Sequence, residues 1–190
     1  MFRRLYDKTL DLAAHRHALP ILALLAFAQS SFFPIPPDVM LLPMVLADRK
    51  RAFLIATVCT IGSVAGGVFG YMLGWGFWDV VGDYIASPEK FEQFSGLYNT
   101  YGGWIVLLAG FSPIPYKVFT IASGTVGLNI FVFILFSLIG RGGRFFLEAS
   151  LLYFFGAPIK AFIERYFGLL TLVAGALIVG AAIAYQTLLH

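Results

Sequence analysis

The sequence predicts an all-α integral membrane protein built as an inverted repeat: two re-entrant helical hairpins, each followed by a transmembrane helix, plus a C-terminal transmembrane helix. Three observations carry that prediction. First, 59% of the 190 residues are hydrophobic, 12% are charged and the mean hydropathy is +0.85, whereas soluble domains carry roughly a quarter charged residues. Second, two proline-broken phrases, Phe33-Pro34-Ile35-Pro36-Pro37-Asp38-Val39 and Ser112-Pro113-Ile114-Pro115-Tyr116-Lys117-Val118, recur inside apolar segments. Third, the polar stretches between apolar segments differ in sign, basic around the first phrase and acidic before the second.

The length suits one membrane domain over residues 1–190, with no stretch polar enough for a separate soluble domain. No small-residue cleavage pattern follows the first apolar run, so no cleaved signal peptide is expected. The single cysteine, Cys59, excludes an internal disulfide and reads as a small packing residue in a helix.

Residues 1–17 mix Phe2, Leu5, Leu10 and Leu12 with Arg3, Arg4, Lys8 and Arg16, as in a helix lying at an anionic headgroup surface. His15 and His17 read there as solvated polar residues. Residues 18–47 are uncharged apart from Asp38, but Pro34, Pro36 and Pro37 must interrupt the helix. Two half-helices entering and leaving on one side account for the pattern, and broken backbone at membrane depth implies a cavity. Residues 52–78 are uncharged and long enough to span. Gly62, Gly66, Gly70 and Gly74 recur there every four residues, a ridge suited to close helix packing.

Residues 79–101 bring Asp79, Asp83, Glu89 and Glu92 against Lys90, with several aromatics, as in an interfacial segment outside the membrane. Lys and Arg accumulate on the cytoplasmic side, so residues 1–17 and 48–51 are expected inside. The second hairpin, 102–127, broken at Pro113 and Pro115, then enters from the outer side. Aligning Pro34 with Pro113 sets Ile35 on Ile114, Pro36 on Pro115, Asp38 on Lys117 and Val39 on Val118, an offset of 79. Residues 128–157 form another span, its apolar run interrupted by Arg141-Gly142-Gly143-Arg144 and Glu148, and residues 166–188 a last one.

Ionisable residues inside membrane segments are costly and normally face a bundle interior or aqueous cavity. Here they are Asp38, Lys117, Arg141, Arg144 and Glu148. Arg144 and Glu148, four apart, share a helix face and can pair. Two arginines and Lys117 beside broken helix ends suit an anion such as phosphate. The alternative is closed ion pairing, Asp38 with Lys117 and Arg144 with Glu148. Three positive charges against two negative ones leave one positive charge for an anionic headgroup to balance.

These residues resemble the DedA family, also called the VTT or SNARE-associated Golgi protein family, and within it the small YqaA-like branch. The tract FAQSSFFPIPPD is similar to the family's first re-entrant motif, with Asp38 matching its terminal acid and Gln29 standing where an earlier acid falls. The glycine ladder with Tyr71 resembles the family's glycine and tyrosine helix, with Gly67 at a position usually polar. GFSPIPYKVFTIASG resembles the second re-entrant motif, though Gly110 stands in place of an arginine and Lys117 replaces a later one with a displacement of one residue. The resemblance covers about residues 20–157 and implies movement of undecaprenyl phosphate or phospholipids between leaflets.

The expectation is therefore a multi-pass protein of the bacterial cytoplasmic membrane, N-terminus cytoplasmic, that moves a phosphate-bearing lipid without ATP, since no nucleotide-binding loop is present. Lys117, Arg141 and Arg144 would bind the phosphate, and Asp38 and Glu148 would balance charge or couple protons. No catalytic residue, metal, cofactor or nucleic acid is expected, the partner is a lipid with an anionic headgroup, and a homo-oligomer stays open. The rival readings are a membrane-embedded lipid-phosphate enzyme, for which Ser30, Ser31 and Ser112 are the nearest hydroxyls, and an assembly factor using the glycine ridge. Those serines are expected instead to hydrogen-bond backbone groups freed at the breaks.

Overall fold

The computed structural model describes residues 17–33, 35–85, 88–112 and 114–156, and all regular structure in them is helical. The helices are α1 (Ala18–Ser31), α2 (Asp38–Ala47), α3 (Ala52–Ile85), α4 (Pro88–Phe111), α5 (Tyr116–Thr125) and α6 (Ile130–Phe155), with a 3₁₀ turn at Arg49–Arg51. The interfacial helix over 1–17, apart from its last residue, and the span over 166–188 lie outside the described residues, as do Pro34 and Pro113.

Each break falls where the prolines placed it. Pro37 and Pro115 occupy the N-cap positions of α2 and α5, where a missing backbone donor is harmless. Asp48 accepts from the Lys50 amide at 3.1 Å and opens the basic 3₁₀ turn. Asn129 caps α6 by accepting from the amides of Phe131 and Val132. The Arg141-Gly142-Gly143-Arg144 interruption of the apolar run does not interrupt α6, which is one continuous helix of 26 residues.

Boundaries differ from expectation around residues 79–101. The α3 helix continues to Ile85 and α4 begins at Pro88, so this stretch is divided between two helices. Acidic residues beyond the apolar run do not end a helix, because its backbone bonds are internal whatever surrounds it.

Residues Arg49–Gly76 and Ile130–Phe155 are each long and apolar enough to cross a membrane. They run antiparallel: Phe53 stacks near Phe146 and Tyr153, whereas Tyr71 meets Phe133, with ring centroids 5.3 Å apart. α1 runs along α3 in the same direction, since Gly62 lies against Ala23 and Gly66 against Phe27. The chain therefore reverses at the first break, and α2 leads back to the start of α3. At 14 and 10 residues, α1 and α2 are each too short for a hydrocarbon core of about 30 Å at 1.5 Å per residue.

The glycine ridge is occupied from within the chain. A methyl group on Gly62 or Gly66 would strike the carbonyls of Ala23 and Phe27, and on Gly70 or Gly74 it would strike Thr120 and Ile121 of α5. One face of α3 thus seats a half-helix from each broken segment, the close approach that small residues permit. Gly140 repeats the arrangement on α6, facing the carbonyl of Leu107 in α4.

Two apolar clusters form the core. One joins α1, α2, the start of α3 and the end of α6 through Leu22, Met40, Leu41, Ile55, Phe145 and Leu152, and includes the buried Cys59. The other joins α4, α5 and the start of α6 through Val106, Ala109, Tyr116 and Phe133. Arg141, near the middle of α6, and Ser63, about a third of the way along α3, meet between them.

Candidate functional site

A helix that stops inside a protein leaves carbonyls without partners, and these must be satisfied by side chains or water. At the first break, α5 supplies the donors. Lys117 Nζ bonds the Phe32 carbonyl at 3.2 Å, and Thr120 Oγ1 bonds the Ser30 carbonyl at 3.3 Å. At the second break, Arg144 Nη1 of α6 bonds the Ser112 carbonyl at 3.1 Å. Each broken segment is thus closed by side chains from outside itself.

The serines beside the breaks divide in role. Ser31 Oγ lies 2.8 Å from the carbonyls of Phe27 and Gly66, and Ser112 Oγ accepts from the Ile114 amide at 3.3 Å, so both serve the backbone as expected. Ser30 does otherwise, sharing a 2.6 Å hydrogen bond with Ser63 Oγ.

Arg144 is the hub. Its Nη2 donates to Asp38 Oδ2 at 2.5 Å and its Nε lies 3.3 Å from Glu148 Oε1. It therefore links the first turn of α2, where a negative charge also favours the helix dipole, to the residue that follows α4 and to its own helix. The predicted Arg144–Glu148 pair forms. Asp38 pairs with Arg144 and not with Lys117, which corrects the alternative that placed a closed Asp38–Lys117 pair between the breaks. The reason is geometric: Lys117 reaches across to the end of α1, while α6 brings a guanidinium directly over Asp38. Glu148 is fully buried, and its Oε2 has no hydrogen-bond partner among the described residues.

Arg141 has different company. Its Nε donates to Ser63 Oγ at 2.6 Å and its Nη2 to Gln29 Oε1 at 2.9 Å. Its guanidinium carbon sits 5.1 Å from the Tyr116 ring centroid and 4.6 Å from that of Phe145, cation–π contacts that partly compensate a buried charge. No carboxylate lies within ion-pair distance among the described residues.

These groups wall one cavity of about 240 Å³ between the two breaks. Phe33, Pro36, Pro37 and Asp38 line it from the first break, Ser112, Ile114, Pro115 and Lys117 from the second, with Gln29, Arg141 and Arg144 completing it. Three cationic side chains and one carboxylate face it, with Glu148 behind Arg144. The structure thus brings Asp38, Lys117, Arg141 and Arg144 together, and Asp38 and Lys117 meet as two walls of one space. Gly62, Gly66, Gly70 and Gly74 stand outside it as packing positions.

Sequence reading missed Gln29 and Ser63 as partners of Arg141 and Tyr116 as its platform. A signal existed for Gln29, whose amide is the most polar group in the uncharged run 18–37. Ser63 lies beside a ridge glycine, and Tyr116 looked like an ordinary aromatic residue. Its hydroxyl donates to Ser137 Oγ at 2.5 Å, and its ring is fully buried.

Comparison with known proteins agrees with this architecture. The VTT domain model matches residues 34–154, from the first break to the last turn of α6. An "Uncharacterized protein" of Haemophilus influenzae is 35% identical over 188 residues, covering 97% of this chain and 96% of that protein. An "Uncharacterized protein HI0703 homolog" of Histophilus somni is 36% identical over 164 residues, covering 85% of this chain and 86% of that protein. No solved structure matches the chain significantly. With two apolar helices long enough to span and a family match that begins and ends with the paired breaks and long helices, the chain belongs to the VTT domain family, also called DedA, and is a helical membrane protein.

Proposed function

We propose that the protein moves a phosphate-bearing lipid, undecaprenyl phosphate or a phospholipid, across the bacterial cytoplasmic membrane without ATP, the headgroup passing through the cavity between the two breaks. The observation that carries this reading is the cavity itself, with Lys117, Arg141 and Arg144 facing one carboxylate. Guanidinium and ammonium groups at broken helix ends suit phosphate oxygens. In this reading the two broken segments are re-entrant hairpins of an inverted repeat, a transporter architecture that places its site between the halves. The antiparallel course of α3 and α6 and the shortness of α1 and α2 support it. The basic Arg49–Arg51 turn and the N-terminus face the cytoplasm by the excess of basic residues there.

Mechanistically, Asp38 and Glu148 hold Arg144 while no lipid is present, and an arriving phosphate competes with them. Protonation of either acid weakens that competition, which couples lipid movement to protons. The lipid leaves chemically unchanged. The assembly-factor reading loses its main support, because the glycine ridge is filled by α1 and α5.

Reconstitution in liposomes tests the proposal. Wild-type protein transfers a phosphate-bearing lipid between leaflets with its headgroup intact, and Lys117→Ala and Arg141→Ala each lower the rate severalfold. Transfer at wild-type rates by both variants rejects the proposed roles, and a hydrolysed headgroup in the product transfers the protein to the enzyme class.

A further inference from the structure

The two arginines of the cavity differ in how far their charge is already answered. Arg144 lies between Asp38 and Glu148 and also donates to the Ser112 carbonyl. Arg141 is only 3% exposed, yet its polar partners are an amide and a hydroxyl. A guanidinium can only donate, so Gln29 must present its amide oxygen to it, leaving no negative charge on that side. Nη1 of Arg141 has no hydrogen-bond partner among the described residues, and it is not among their buried unpartnered atoms, which leaves it facing open space. The open space beside Arg141 is the cavity. A buried cation without a counter-ion is expensive, and two aromatic faces offset only part of that.

Building on the function proposed above, we infer that Arg141 is the principal contact for a phosphate oxygen, and that Gln29 sets the strength of the site by holding Arg141 in place with a neutral acceptor. Arg144 is by contrast a secondary contact, held by Asp38 and Glu148 until a phosphate competes with them, and it also ties both breaks to α6. Gln29 sits on α1, ahead of the first break, and Ser63 on α3, so the first half of the chain aims a cation that the second half supplies. Ser30 fixes Ser63 in turn through their 2.6 Å hydrogen bond.

Charge and shape make opposite predictions at position 29. Gln29→Glu keeps an acceptor of the same size and adds a carboxylate that answers Arg141 from inside. Gln29→Met keeps the size and neutrality but removes the acceptor. If Gln29 tunes charge, purified full-length Gln29→Glu binds phosphatidylcholine vesicles containing phosphatidic acid about tenfold or more weakly than wild type, the scale of losing one close charge interaction, and Gln29→Met loses less than Gln29→Glu. If Gln29 is only a structural support, the order reverses.

Arg141→Gln supplies a second measure: it loses binding at least as strongly, and adding Gln29→Glu to it causes no further loss. Melting temperatures of each variant in detergent show that the fold survives, and if Gln29→Glu does not fold, the Met and Arg141→Gln arms decide. The inference is overturned by Gln29→Glu binding as tightly as wild type, by Gln29→Met losing more than tenfold, or by Arg141→Gln binding normally. Binding of inorganic phosphate as tight as that of the lipid vesicles assigns the same contact to a free anion. Wild-type protein that binds neither probe overturns the proposed function itself, a result distinct from any pattern among the variants.

Discussion

Residues 18–85 and 88–155 lay down the same order of elements, a helix (14 residues in α1, 24 in α4), a proline break, a ten-residue helix and a long helix, but populate it with different chemistry. The helices α2 and α5 start 78 residues apart, at Asp38 and Tyr116, as do α3 and α6, at Ala52 and Ile130. In that register Pro37 answers Pro115, Gly62 answers Gly140, and Ser63, Gly66 and Gly70 of α3 answer Arg141, Arg144 and Glu148 of α6. One half carries small residues where the other carries the buried charges. The equivalent positions do different work: the glycines of α3 let α1 and α5 approach closely, while the charges of α6 tie the two breaks together. Ser63 and Arg141, equivalent in the two halves, bond each other directly.

The comparison breaks most visibly at Arg144. Arg144→Ala leaves Asp38 and Glu148 without their guanidinium and strips the Ser112 carbonyl of its donor. Removing one member of a buried ion cluster costs about 3–5 kcal/mol, so thermal unfolding in detergent records a large drop in melting temperature. A melting temperature equal to wild type contradicts the hub. At the equivalent position of the other half, Gly66→Ala drives a methyl into the Phe27 carbonyl, and such overpacking costs about 1–3 kcal/mol. The control is Gly76→Ala on the same helix, where nothing lies within 4 Å of the new methyl; it is neutral or stabilising by up to about 1 kcal/mol through helix propensity. If both alanines behave alike, the ridge does not seat the half-helices.

Smaller effects sharpen the picture. Tyr71→Phe removes the hydrogen bond from its hydroxyl to the Leu128 carbonyl, 2.5 Å long, and costs about 1 kcal/mol in the same melt. Leu135→Ala, at an outward position of α6 that is 54% exposed, changes stability by about 0.5 kcal/mol or less. A larger loss there marks a buried contact and redraws the outer face of α6.

Much of this was legible in the sequence. Proline removes donors wherever it sits, so both breaks could be placed without tertiary knowledge, and the i, i+4 spacing brought Arg144 to Glu148 on helical geometry alone. The glycine ridge was readable as packing, but not which helices it receives. The partner of Asp38 was not readable either, because a reach of 106 residues to Arg144 depends on how α6 crosses the breaks. The repeat register differs by one between sequence and structure: the proline phrases align at 79, the helix starts at 78, since Pro37 and not Pro36 takes the cap. That single residue replaces the Asp38–Lys117 equivalence with Asp38–Tyr116. Gln29 and Ser63 acquire their role only when α6 places Arg141 between them.

The central claim is that both breaks wall one site whose cations take a phosphate. An experimental structure in nanodiscs containing phosphatidic acid tests it most directly. The account predicts ordered phosphate density in the cavity between the breaks, within hydrogen-bond reach of Arg141 and Lys117. Phosphate density confined to the bilayer rim, with Arg141 turned away from the cavity, contradicts it.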